Sequence, residues 1–306
     1  DLTSSYTRVL QFYCSKKIID VKENYMDYIT LNNGLKMPLL GFGTMNIFDE
    51  EECTKILKEA YEEGYRLFDY AQIYGNEQIV GSALRKAGIP RDEIFLTTKV
   101  WFTNFEGEEV RKSLLESMRK LQTDYFDLVF IHWPYGNTYH AYRELEKMYE
   151  EGFIKSIGIS NYQESQYLDL VHFNKIIPVV NQIKVTLRCQ RKQMLEVMNE
   201  KGTVLQGYQV FGKEETLPIY EDDKVKSIAL KYNKTTRQIA MKYLVQNRIS
   251  VITRPMEKQY MKDNLNLFDF QLNEEEMSYL SSFDLLEYNT KPSQDYQRTK
   301  SMLENM

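Results

Sequence analysis

One rhythm runs through this chain from residue 39 to residue 252. A short apolar run is followed by a charged segment whose apolar residues recur every three or four positions. Eight of the apolar runs read as strands, at 39–43, 66–69, 94–98, 126–131, 155–159, 179–181, 203–208 and 250–252. Helix-period segments between and after them include 50–63, 77–87, 108–121, 139–149, 163–171, 193–201, 224–232 and 259–264, and a further strong helix at 235–247 leads directly into the last strand. In the first helix Cys53, Ile56, Leu57, Ala60 and Tyr61 share one face, and Gly64 stands where a helix ends. Strand-to-helix crossovers are right-handed, so such units wind parallel. Eight βα units of roughly 30 residues with no break in composition predict an α/β fold, a single (β/α)₈ TIM barrel. A doubly wound sheet shows the same alternation. Its dinucleotide fingerprint, Gly-x-Gly-x-x-Gly, is missing at every strand-to-helix turn, and no phosphate-loop pattern replaces it.

Composition narrows the partners. The 306 residues carry 39 Lys+Arg against 44 Asp+Glu, a formal charge of −5, which argues against nucleic acid because phosphate neutralisation needs a basic surface. Hydrophobic residues at 42% and charged residues at 27% are globular values. Three cysteines in so long a chain form no disulfide framework and point to a reducing cytosol; a cytoplasmic monomer is expected. Three histidines and no paired-cysteine motif give no basis for a structural zinc site. No apolar stretch approaches the roughly 20 residues of a membrane helix.

The ends differ from the middle. Residues 1–25 have broken apolar patterning and no small-residue cleavage site, so they read as a leader or non-native extension, with the barrel and its C-terminal arm occupying 26–306. Strand-like runs at 28–31 and 36–40 flank Asn33-Gly34, the dipeptide of a type I′ turn, so an N-terminal β-hairpin is expected to cap the barrel. Beyond Asp284 the tail is polar until Met302 and Leu303 and is expected to be an arm over one face or partly disordered.

Barrel chemistry lies at the C-terminal ends of the strands. Reading only those positions finds Asp69 with Tyr74 close behind, then Lys99, His132, Ser160-Asn161, Asn181-Gln182, Tyr208 and Thr253-Arg254. Each has a bland explanation alone; together they form one polar constellation at one rim.

At these positions the chain resembles the aldo-keto reductases. The resemblance is carried by GFGTMN (41–46), FDYAQIYGNE (68–77), TTKVW (97–101), FIHWP (130–134), IGISNY (157–162), VVNQI (179–183) and ITRPMEKQYMKDN (252–264). It implies a barrel that binds a nicotinamide cofactor, NADPH first and NADH second, and reduces a small-molecule aldehyde or ketone to an alcohol. It implies a catalytic tetrad of Asp69, Tyr74, Lys99 and His132, with Tyr74 as proton donor. A phenol ionises near pH 10, and an adjacent Lys99 ammonium is expected to lower that value. Asp69 would orient Lys99, and His132 would align the carbonyl. Ser160, Asn161 and Gln182 would hold the carboxamide and Tyr208 would stack on the ring. Thr44, Phe211, Arg254, Asp263 and Asn264 would complete the cofactor contacts, and Met45, Trp101 and Trp133 the substrate pocket.

The departures cluster at the phosphate end. Arg254 and Pro255 stand where the family commonly has Lys-Ser, and Tyr260 where it has Arg, placing strong NADPH preference in question. Lys213 is a nearby replacement cation, and the short acidic segment 213–223 suggests a minimal strap over the cofactor. Tyr70 replaces a small hydroxyl residue, with bulk that would narrow the mouth or displace Lys99. Two other readings compete: a barrel aldolase with Lys99 as Schiff-base nucleophile, and a catalytically weak cofactor-sensing or interaction protein on the same barrel.

Overall fold

The computed structural model describes residues 27–213, 216–285 and 299–304. The expected leader and the middle of the C-terminal arm therefore lie outside the described residues. Strands β1 (Tyr28–Thr30) and β2 (Lys36–Pro38) form an antiparallel hairpin separate from the main sheet. Its turn differs from the type I′ expectation, which needs positive φ at both central residues. Only Gly34 has it, at 88°. Gly34 N–H donates to the Leu31 carbonyl at 2.9 Å, and Leu31 N–H donates to that of Leu35 at 2.8 Å, closing a three-residue loop with a left-handed glycine. Asn33 is thereby free to anchor the hairpin. Its Nδ2 donates to the Lys155 carbonyl and to Ser156 Oγ, both at 3.0 Å.

Eight parallel strands then close into a barrel: β3 (Leu40–Gly43), β4 (Leu67–Asp69), β5 (Phe95–Val100), β6 (Leu128–Ile131), β7 (Ile157–Ser160), β8 (Val180–Lys184), β9 (Val204–Tyr208) and β10 (Ser250–Thr253). Closure comes from β10, which pairs with both β9 and β3 and so excludes the open doubly wound sheet. The surrounding helices are α1 (Glu50–Glu63), α2 (Glu77–Lys86), α3 (Glu109–Leu121), α4 (Thr138–Glu150), α5 (Glu164–Phe173), α6 (Lys192–Asn199), α7 (Leu217–Tyr220), α8 (Asp223–Tyr232), α9 (Thr236–Gln246), α10 (Lys258–Leu265) and α11 (Glu274–Ser281).

The two-residue period of a strand decides what faces the interior. Leu67, Phe95, Leu128, Phe130, Val180, Val204 and Ile252 form one buried cluster with Ile29, Leu31 and Met37 of the hairpin region, which plugs the end away from the site. Their outward neighbours Phe68, Leu96, Val129, Ile183 and Leu205 join the helices in the larger core. Continuing the alternation two residues past each inward apolar group reaches Asp69, Thr97, His132, Gln182 and Gln206. The interior thus changes from apolar to polar along the axis, and the polar layer falls at the C-terminal rim.

Helix contacts leave little slack outside the barrel. A Cβ on Gly81 of α2 would lie 2.2 Å from the Lys120 carbonyl oxygen and 2.7 Å from Leu121 Cα, backbone atoms at the end of α3. Gly81→Ala is therefore expected to lower stability by about 1–3 kcal/mol despite alanine's better helix propensity. A reduced urea midpoint at unchanged slope is the expected result; an unchanged midpoint would show that the two helices separate freely.

Candidate active site

Asp69 ends β4 and Lys99 lies within β5, one residue deeper than a loop position. Lys99 is fully buried. Its Nζ donates to Asp69 Oδ2 at 2.6 Å and to the Tyr70 carbonyl at 2.7 Å. The other carboxylate oxygen accepts from Thr97 Oγ1 at 2.8 Å and Gln182 Nε2 at 3.0 Å. Burial acts to discharge Lys99, but the Asp69 carboxylate and the adjoining Tyr74 hydroxyl outweigh it and hold the pKa above the usual lysine value.

Tyr74 closes a 3₁₀ turn, Gln72–Tyr74, that follows β4. The Lys99 ammonium is 5.3 Å from its ring centroid. The expected lowering of the Tyr74 pKa is reversed here. Burial raises it above the ordinary phenol value, and the pull of Lys99 in the opposite direction is smaller. Tyr74 is consequently a protonated phenol throughout the neutral range. Gln72 in the same turn lies within the segment 68–77 but has no role assigned from sequence. Its Oε1 accepts from Trp101 N–H and Asn104 Nδ2, both at 3.0 Å, which binds the Tyr74 turn to the end of β5.

His132 follows β6, its ring centroid 6.3 Å from that of Tyr74 and 5.2 Å from that of Trp101. Trp133 stacks on Tyr135 at 5.5 Å and 6°. These groups open onto a cleft of about 1460 Å³ lined by Asp69, Tyr74, Trp101, His132 and Trp133, with Met45, Phe48 and Ile73 at its apolar mouth. Met302 and Ser301, from the helical run 299–304, also reach it, held by a 2.8 Å bond between Tyr135 and Thr299. Lys99 lies below this surface.

The expected cofactor residues form a second wall. Gln182 donates through Nε2 to Asp69 and, at 2.8 Å, to Gln206 Oε1, leaving its side-chain oxygen Oε1, as distinct from its main-chain carbonyl, for a ligand. Ser160 Oγ donates to the Gln182 carbonyl at 2.8 Å. Asn161, in a left-handed conformation with φ 66°, donates to the His132 carbonyl at 3.0 Å and accepts from the Tyr208 hydroxyl at 2.7 Å. That last bond pins the Tyr208 ring. Further along lie Phe211, Arg254, Tyr260, Asp263 and Asn264. Arg254 donates to the Met45 carbonyl. Thr44 is placed otherwise: it is buried and donates to the Asp69 carbonyl at 3.0 Å, outside the cleft lining.

Two expectations are corrected by packing. Tyr70 neither narrows the mouth nor displaces Lys99. Its ring is fully buried in the apolar layer shared with Cys53 and Ile56 of α1, where burial pushes its pKa well up. Lys213 is exposed and does not line the cleft; Arg237, near the start of α9, does. The helical period hid Arg237, because an arginine on a charged helix reads as a solvated face.

Comparison with known proteins agrees with this architecture. Residues 39–285 match the Aldo/keto reductase family. The chain is 32% identical over 259 residues to the glyoxal reductase of Bacillus subtilis, covering 84% of this chain and 93% of the relative. It is 32% identical over 299 residues to the NADPH-dependent D-xylose reductase of Meyerozyma guilliermondii, covering 84% and 94%. Among solved structures, a Bombyx mori aldo-keto reductase in complex with NADP superposes with a TM-score of 0.79 at 29% identity, covering 85% of this chain and 93% of that one. The chain belongs to the aldo-keto reductase family. It is a nicotinamide-dependent oxidoreductase acting on carbonyl compounds.

The Asp69–Lys99 pair yields an asymmetric stability prediction. Asp69→Ala strands a buried ammonium on one carbonyl and is expected to cost about 3–5 kcal/mol. Lys99→Met is expected to cost less, because Asp69 keeps its Thr97 and Gln182 donors. Urea denaturation of both variants checks the order, and a costlier Lys99→Met would refute this account of the pair.

Proposed function

We propose that this chain reduces aldehydes and ketones to alcohols with NADPH, Tyr74 delivering the proton to the carbonyl oxygen. The carrying observation is the position of Tyr74, a protonated phenol on the cleft surface with a charged lysine held beneath it. The donor set suits a nicotinamide dinucleotide: a hydroxyl and two amides in Ser160, Asn161 and Gln182, a pinned ring in Tyr208, and the guanidinium groups of Arg237 and Arg254 along the same cleft. When bound, that cofactor supplies the hydride to the carbonyl carbon.

In this reading Tyr74 and His132 face the substrate oxygen together. His132 positions the carbonyl, and Tyr74 releases its proton as negative charge develops on oxygen. Lys99 stabilises the resulting phenolate, and Asp69 keeps Lys99 charged and fixed. The same hydrogen bonds disfavour a Schiff base on Lys99, whose ammonium is buried, paired and protonated. Three cysteines in 306 residues, too few for a disulfide framework, support a reducing cytosol as the place of action.

Glyoxal and D-xylose, named for two relatives, are small and polar. The mouth formed by Met45, Phe48, Ile73, Trp101 and Met302 supports carbonyls with apolar bodies instead. An aromatic aldehyde is expected to exceed an open-chain sugar in kcat/KM by tenfold or more, on the order of one well-buried apolar group. Equal values for the two would contradict an apolar subsite.

Tyr74→Phe is expected to lower kcat by roughly 10²–10⁴ while leaving the NADPH dissociation constant unchanged. Retained turnover would remove Tyr74 from the donor role. Because the Tyr74 pKa is raised, its proton is present below that value and lost only above it. The rate of reduction is thus expected to hold across neutral pH and decline only above about pH 10, as a pH profile of kcat checks.

A further inference from the structure

The cleft that holds the proposed reaction contains two arginines among its described lining residues, Arg237 and Arg254. They are not equivalent. Arg254 turns back to donate to the Met45 carbonyl. Arg237 makes no ion pair and no hydrogen bond among the described residues. Instead its guanidinium lies over two rings, 5.3 Å from the Phe211 centroid and 5.5 Å from that of Tyr220. Cation–π contacts of this kind hold the group near the two rings without occupying its N–H donors.

Its position follows from the packing of α9 on α10. Gln238, the next residue, donates through Nε2 to the Asp263 carbonyl at 2.7 Å. This bond sets the first turn of α9 beside the segment containing Pro255, Tyr260 and Asn264, which also lines the cleft. Here the sequence lacks the cation and the hydroxyl expected around Pro255 and Tyr260. Two carboxylates, Glu257 and Asp263, share this wall, and Gln259 is hydrogen-bonded to the latter at 2.9 Å. A phosphate entering beside them needs a cation with free donors, and a planar guanidinium matches phosphate in a two-point contact.

We propose that Arg237 is the principal binding group for the 2′-phosphate of NADPH in this chain, taking over from the position filled by Tyr260. The inference rests on the NADPH reading above and assigns the residue that makes the choice over NADH. It places that choice on α9 and the Phe211–Tyr220 platform, with Arg254 mainly tying the rim to Met45.

The test is a fluorescence titration of the full chain with NADPH and with NADH. Arg237→Met keeps an aliphatic stem over the two rings and removes the charge. Arg237→Lys keeps the charge but not the fork. Arg237→Met is expected to weaken NADPH binding by roughly ten- to hundredfold, the range of a charge-assisted hydrogen bond, and to leave NADH binding unchanged. Arg237→Lys is expected to fall between it and the wild type. Adenosine 2′-monophosphate, used as a competitor, should lose affinity in parallel. Unchanged NADPH binding in Arg237→Met would overturn the assignment while leaving the reductase reading intact. An equal loss for both coenzymes would also overturn it, by showing a structural role. A wild-type chain that binds neither coenzyme would instead overturn the reductase reading, and this inference with it.

Discussion

An ammonium with no exposure to water requires a counter-charge, and in this barrel the requirement organises the whole rim. Lys99 is held by Asp69 at 2.6 Å, and Asp69 is held in turn by Thr97 and Gln182. One carboxylate thus connects β4, β5 and β8. From there the network extends through Gln206 to Ser250, linking β9 and β10. Residues that serve the proposed chemistry are therefore the same residues that satisfy one another in a water-poor interior. This is also why the polar layer is confined to one end, since the other end is plugged by the hairpin and an apolar cluster.

The pair also sets the protonation pattern on which the reaction depends. Lys99 stays charged because Asp69 outweighs its burial. Tyr74 stays neutral because its own burial outweighs the pull of Lys99. A donor that keeps its proton until charge appears on the substrate suits the reductive direction. In this arrangement the lysine matters most after the proton has left, when a phenolate must be tolerated in the same burial.

Much of this was legible in the sequence because period and order are robust signals. The eight strands appear near their expected positions, and alternation along them carries Asp69, His132 and Gln182 to one rim whatever the exact boundaries. Lys99 was found although it lies inside β5 and not beyond it, since a shift of strand end does not change the inward face. What sequence could not give were balances and destinations. The net pKa direction of Tyr74 depends on how deeply it is buried. The fate of the Tyr70 ring depends on space beside Cys53, and the role of Arg237 on which way the first turn of α9 faces. Asn33-Gly34 carried the right dipeptide but entered a three-residue loop, in which Asn33 is bonded to Lys155 and Ser156.

In the proposed reaction the cleft carries a hydride from cofactor to carbonyl carbon while the protein supplies the proton. Mass spectrometry of the product tests it directly, using an aromatic aldehyde and NADPH carrying deuterium at both positions of the nicotinamide C4. The expected product is an alcohol with one deuterium on the carbinol carbon, formed in step with cofactor oxidation. An alcohol without deuterium, or cofactor oxidation without alcohol, would contradict it.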